Sequence, residues 1–174
     1  DGYISSVSSE AVYMIGGKDV TYAWTEKDGV LMKCRSVQSV CRIPAEINGN
    51  PITEIADEAF AGNHFIREVQ LPDTVTVIGS RAFADCSALE NVTAKNAAVI
   101  GTEAFDGDEN LKTIEYSPAL QSAGAAAFRD CASLNQLDFS KLAVLPEALC
   151  SGCSSLETAD ISNATVIEEG AFRN

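Results

Sequence analysis

Apolar residues recur along this chain in two pairs for every 22 or 23 residues. One pair alternates with polar positions: Val69/Leu71, Val92/Ala94, Ile114/Tyr116, Leu137/Phe139 and Ala159/Ile161. That alternation predicts a short half-buried strand in each unit. A second, less regular pair runs Ile52/Ile55, Val75/Ile78, Ala97/Ile100, Leu120/Ala123, Leu142/Leu145 and Ala164/Ile167. Between the second pair and the next strand lies Ala-Phe within a polar stretch, as in Glu58-Ala59-Phe60-Ala61-Gly62-Asn63. It predicts a helical or 3₁₀ turn with the Phe pointing inward. The Phe slot falls at 60, 83, 105, 128, 150 (a Cys) and 172, in steps of 23, 22, 23, 22 and 22. A fixed period of this length marks a solenoid. One such unit cannot enclose a core, but stacked units bury a continuous one. The expected fold is therefore a right-handed parallel coil of about five to six units, with Val69, Val92, Ile114, Leu137 and Ala159 in register on adjacent strands.

The start of the chain breaks the period. Residues 1–10, with four Ser, read as a flexible lead-in. Ala11 to Ile15, Val20 to Thr25 and Val30 to Cys34 read as strands separated by Gly16-Gly17-Lys18-Asp19 and Glu26-Lys27-Asp28-Gly29, both turn signals. Solenoid ends expose an apolar face that an atypical terminal unit covers. Residues 11–42 are expected to be that cap, with Trp24 in its core and Ile52, Ile55 and Phe60 beneath it. Asn48-Gly49-Asn50-Pro51 is the turn that feeds the first regular unit, and the repeat domain spans 43–174. The last unit stops at Asn174, two residues past Phe172, so the pattern predicts that the natural chain continues.

The pattern L-x-x-V-x-L-P…V-x-x-I-G-x-x-A-F-x-x-C fits Ile66 (in the leucine slot), Val69, Leu71, Pro72, Val75, Ile78, Gly79, Ala82, Phe83 and Cys86. It resembles the leucine-rich repeats of the BspA-like bacterial surface protein family. The resemblance covers residues 43–174, about three quarters of the chain. It implies a leucine-rich-repeat fold, export after removal of a leader or lipid anchor, and an adhesive role. Departures fall at Pro146 (for Gly), Leu149 (for Ala), Cys150 (for Phe), and Asn63 and Asp108 (for Cys), where looser packing is expected.

Charge narrows the partners. The net charge of −13 lies entirely in residues 43–174, since residues 1–42 hold five acids and five bases. An acidic array argues against nucleic acid, which is held by neutralising phosphates, and against anionic lipid. The sequence has no apolar run long enough for a spanning helix, so no direct membrane insertion is expected in this segment.

Candidate chemistry is sparse. Cys86, Cys131 and Cys153 share one inward slot, where a small buried thiol fits well. Cys131 and Cys153 lie on neighbouring units within bridging reach, though side chains of one column point the same way. A Cys34–Cys41 disulfide also stays open, while reduced core thiols are the favoured reading. Cys150-Ser151-Gly152-Cys153 spells C-x-x-C only because a Cys fills the Phe slot, and no second half of a zinc tetrad accompanies it. His64, the only histidine, sits in a repeat turn with no nucleophile assignable beside it. No catalytic, cofactor or metal residues are expected.

The outward strand positions carry the remaining signal. Glu68, Gln70, Asn91, Thr93, Thr113, Glu115, Gln136, Asp138, Thr158 and Asp160 flank the inward column and form the candidate ligand face. Glu115, Asp138 and Asp160 are expected on three consecutive rungs, where like charges oppose each other. Either water and salt relieve that repulsion, or the face receives a cation or a basic protein patch. The expected function is a non-enzymatic cell-surface or secreted module that presents this face to an extracellular or host protein. The alternative is a spacer array within a longer surface protein.

Overall fold

The computed structural model describes residues 8–15, 18–116 and 120–174, with side chains from Trp24 onward. The expected Gly16-Gly17 turn and the first seven residues of the lead-in lie outside the described residues. Strands β1 (Ser8–Ile15), β2 (Lys18–Lys27) and β3 (Val30–Cys34) form an antiparallel meander. Since β1 begins at Ser8, the last three residues assigned to the lead-in belong to a strand. Strand β4 (Val40–Arg42) follows, then the small hairpin β5 (Glu46–Ile47) and β6 (Asn50–Pro51). Asn48 and Gly49 turn this hairpin with φ of 54° and 84°, the paired positive values of a type I′ turn.

Two columns of parallel strands then run up the coil. The first holds β4, β8 (Glu68–Gln70), β10 (Asn91–Ala94) and β12 (Thr113–Tyr116), then β14 (Gln136–Asp138) and β16 (Thr158–Asp160). The second holds β3, β7 (Glu54–Ile55), β9 (Val77–Ile78), β11 (Val99–Ile100) and β13 (Ser122–Ala123), then β15 (Val144–Leu145) and β17 (Val166–Ile167). Both β3 and β4 pair in parallel with these columns, so the part of the cap from Val30 is already a rung of the coil. Trp24 and Leu31 of the cap are buried in the same core as Ile52, Ile55 and Phe60.

Val69, Val92 and Ile114 are Cα partners in register, as are Leu137 and Ala159. The expected single column is interrupted between them: among the described residues β12 does not pair with β14, nor β13 with β15. Two residues mark the interruption. In the second column Gly79, Gly101 and Gly124 donate their N–H to Ile55, Ile78 and Ile100 of the preceding rung. Pro146 fills that slot in the next unit and has no N–H to give. In the first column the Tyr116 hydroxyl donates to the Asp138 carbonyl at 2.7 Å and accepts the Asp138 N–H at 2.9 Å. A side chain thus makes the bonds to the Asp138 backbone across this junction.

A third column is made of turns, and it is unbroken. At each junction three backbone hydrogen bonds join neighbouring turns; Phe105 to Ala127, Phe128 to Leu149 and Cys150 to Ala171 are the central members of successive sets. The turns are not the helical or 3₁₀ segments expected. The residue two before the Phe slot has positive φ in Glu58, Arg81, Glu103, Ala126 and Ala148, as does the residue two after it in Gly62, Asp85, Gly107, Asp130 and Gly152. A left-handed residue at each end stops the short turns from propagating as a helix. Gly79, Gly101 and Gly124 are needed for close approach, since a Cβ on Gly124 would meet the Thr102 nitrogen at 2.4 Å.

The Phe slot forms the core. Phe60, Phe83, Phe105 and Phe128 are fully buried and stack at centroid spacings of 4.6, 5.1 and 5.4 Å. Looser packing where Cys150 replaces Phe does not follow. Phe139, from the end of the preceding strand, packs on Phe128 at 6.0 Å and continues the aromatic row, and both Phe139 and Cys150 are buried.

Candidate functional site

The cysteines and the histidine resolve into structure. All six cysteines are free and buried. Cys86, Cys131 and Cys153 each donate a thiol hydrogen bond to the Phe-slot carbonyl of the unit before, to Phe60, Phe105 and Phe128. The slot thus places a small donor against the carbonyl of the unit before. Cys34 and Cys41 lie with their sulfurs 3.9 Å apart. His64 is exposed and its Nδ1 is 2.9 Å from the Ser87 hydroxyl. Among the described residues no group of His, Cys, Asp and Glu is arranged to hold a metal ion, and no helix is long and apolar enough to cross a membrane.

The outward face divides in two. On the early rungs its polar side chains satisfy one another: Arg42 donates to Gln70, Gln70 donates to Glu68, and Thr113 donates to Asn91. Thr93 and Glu115 are Cα partners beyond them. On the later rungs the carboxylates turn to the backbone instead. Asp138 Oδ1 accepts the N–H of Ser140 at 2.8 Å, and Asp160 Oδ1 accepts that of Ser162 at 2.9 Å. These are Asx-type turns in which a short carboxylate caps its own chain two residues on. The Ser140 contact holds the Asp138 carboxyl below its usual range, so it is ionised at neutral pH. Asp138 and Asp160 are Cα partners. Glu115 does not complete a run of three rungs with them, because the ladder is open between β12 and β14.

That opening is a cleft of about 630 Å³. Half-buried Ile114 and Ala159, with buried Leu137, reach it from the inward column. Exposed Thr113, Glu115, Gln136, Asp138, Thr158 and Asp160 form its rim. Six of the ten candidate face residues therefore gather at one place, while Glu68, Gln70, Asn91 and Thr93 lie on the closed part of the sheet. Tyr116, which lines the cleft, was legible only as an inward aromatic. Burial pushes its phenol pKa up, and the bonds to Asp138 keep the hydroxyl in its bridging role.

The comparisons agree with this architecture. The profile of the BspA type leucine rich repeat region matches residues 46–174 in six copies. A leucine-rich repeat protein of Bacteroides ovatus superposes with a TM-score of 0.62 at 24% identity, over 99% of this chain and 50% of that one. The T. pallidum leucine rich repeat protein superposes with a TM-score of 0.56 at 23% identity, over 79% of this chain and 77% of that one. This chain thus spans half the length of the Bacteroides ovatus protein. No curated protein matches it. With the period, the stacked Phe slot and the six matched copies, the chain belongs to the BspA-type leucine-rich repeat family.

Proposed function

We propose that this chain is a non-enzymatic binding module of a surface-associated or secreted protein, and that it presents the β12–β14–β16 part of its repeat sheet to a protein ligand. The observation that carries the reading is the cleft, where Ile114, Leu137 and Ala159 of the inward column are reachable between exposed polar residues of the candidate face. Family membership supports surface association. A panel of purified extracellular proteins, passed over the immobilised chain, tests the reading. Binding should disappear when Thr113 and Thr158 on the rim are both replaced by Trp, and persist when exposed Thr102 and Thr165 are replaced instead. Equal binding by both variants would refute it.

A second reading, the spacer, is favoured by the uninterrupted turn column, whose hydrogen bonds run through every junction. It predicts that no member of the panel responds to substitutions on the rim.

A further inference from the structure

We propose that the cleft between β12 and β14 receives an extended segment of the partner protein that carries lysine or arginine; this rests on the binding-module reading above. Four features point to it.

The first is shape. The cleft is lined by short runs of β12, β14 and β16, with the unpaired gap between β12 and β14 inside it. Its volume of about 630 Å³ falls within the range of ordinary ligand pockets.

The second is the floor. Val69 and Val92, in the same inward column, are 0% and 2% exposed. Their neighbour Ile114 is half-buried and lines the cleft with Leu137 and Ala159. The column that is closed at Val69 and Val92 is open at Ile114, beside the gap that the Tyr116 hydroxyl bridges to Asp138.

The third is charge. Glu115, Asp138 and Asp160 stand on the rim; among the described residues no Lys or Arg lines the cleft, and Lys141 acts on Asp138 from outside the lining. Glu90 and Glu103 elsewhere on the surface are held in direct ion pairs, Glu90 with Arg67 and Lys112, Glu103 with Arg81 and Arg129. The rim carboxylates of Asp138 and Asp160 are fixed by their bonds to Ser140 and Ser162, so little rotamer freedom is left to lose on binding.

The fourth is the match of one side-chain type to both surfaces. Lysine and arginine lay an aliphatic stem on apolar surface while the cationic end stays at the rim. A purely apolar segment would strip water from three carboxylates without replacing it, and an acidic segment would be repelled. A basic chain is also steered towards an array of net charge −13.

The test uses the full chain and three synthetic peptides: a serine-flanked alternation of lysine and valine, the same with glutamate for lysine, and the same with serine for valine. Amide chemical shifts of the ¹⁵N-labelled protein locate each peptide. The lysine–valine peptide should shift residues of β12, β14 and β16 and bind most tightly. The double substitution Asp138→Asn with Asp160→Asn keeps both turn-capping oxygens and should weaken binding about tenfold. Glu46→Gln with Glu147→Gln makes the same change of charge at exposed sites away from the cleft and should leave it within about twofold. Equal losses in the two variants, shifts spread along the turn column, or no shifts with any peptide would overturn the proposal. Preferential binding of the glutamate or serine peptide at the same strands would overturn it too, while leaving the binding-module reading intact.

Discussion

Asp108 Oδ1 accepts the backbone N–H of Cys86 at 2.7 Å, while its buried Oδ2 has no hydrogen-bond partner among the described residues. Neighbouring units place a thiol in this slot and direct it to a Phe carbonyl. Desolvation pushes the Asp108 carboxyl well above the usual carboxylate range, so the folded state holds a proton that the unfolded chain releases near pH 4. A group whose folded pKa is raised costs nothing below the unfolded pKa and destabilises progressively above it. The contribution of Asp108 to stability should therefore fall as pH rises from about 4 towards neutrality, against the opposite contributions of Glu90 and Asp138, whose carboxyls are held low. Asp108→Asn should flatten that fall. Asp108→Cys should raise stability at pH 7 by about 1–3 kcal/mol, the cost of an unsatisfied buried polar group. Urea midpoints between pH 4 and 8 measure both; an unchanged profile in Asp108→Asn would count against this account.

The aromatic row gives a second expectation. Phe105 is stacked on both sides, at 5.1 Å to Phe83 and 5.4 Å to Phe128. Phe105→Ala should cost about 3–5 kcal/mol. Cys150→Phe restores the repeat pattern but meets a row already continued by Phe139, so it should destabilise by about 1–3 kcal/mol through overpacking. Adding Phe139→Leu should recover part of that loss, and thermal melts of the single and double variants give the coupling.

Cys34 and Cys41 supply a third. Their sulfurs are 3.9 Å apart and both are buried. The thiol hydrogen bond between them lowers the pKa of Cys34 and raises that of Cys41. Bridging requires an approach to about 2.05 Å. Incubation with oxidised glutathione should remove these two thiols first from the six titrated under denaturing conditions, and the bridged chain should melt higher. Cys41→Ala should abolish both effects.

The interrupted ladder supplies a fourth. Tyr116→Phe removes the hydroxyl that serves both the N–H and the carbonyl of Asp138. The loss should be about 1 kcal/mol, and the Asp138 amide should exchange with solvent faster. Pro146→Gly returns a donor to the second column, and the new amide at position 146 should exchange slowly. Fast exchange there would mean that something other than the missing N–H separates β13 from β15.

The period alone placed Val69, Val92 and Ile114 in register and set the Phe row inward, because both follow from stacking identical units; that Gly79, Gly101 and Gly124 permit a close approach shows only in the structure. Pro146 was visible as a departure. Its effect was not, since only the structure shows that the amide in that slot bonds across to the rung before. Tyr116 occupies an ordinary inward position in the alternation, and nothing in the sequence says that its hydroxyl reaches a neighbouring strand. The ten outward residues of the candidate face were legible from alternation, but their division at Thr113 depends on that one phenol. Phe139 likewise reads as a strand end, and its use as a substitute for the missing Phe at 150 is a packing solution available only in three dimensions.

The unbroken turn column beside two interrupted strand columns has a mechanical consequence. Along most of the coil a pull parallel to its axis is shared among three rows of hydrogen bonds. Between the units of β12–β13 and β14–β15 the turn row bears it, helped by the Tyr116 bridge. Under load this junction should stretch first and open on the strand side, as a book opens about its spine. A ligand seated in the gap would resist that opening, so force on the chain and occupancy of the cleft work against each other.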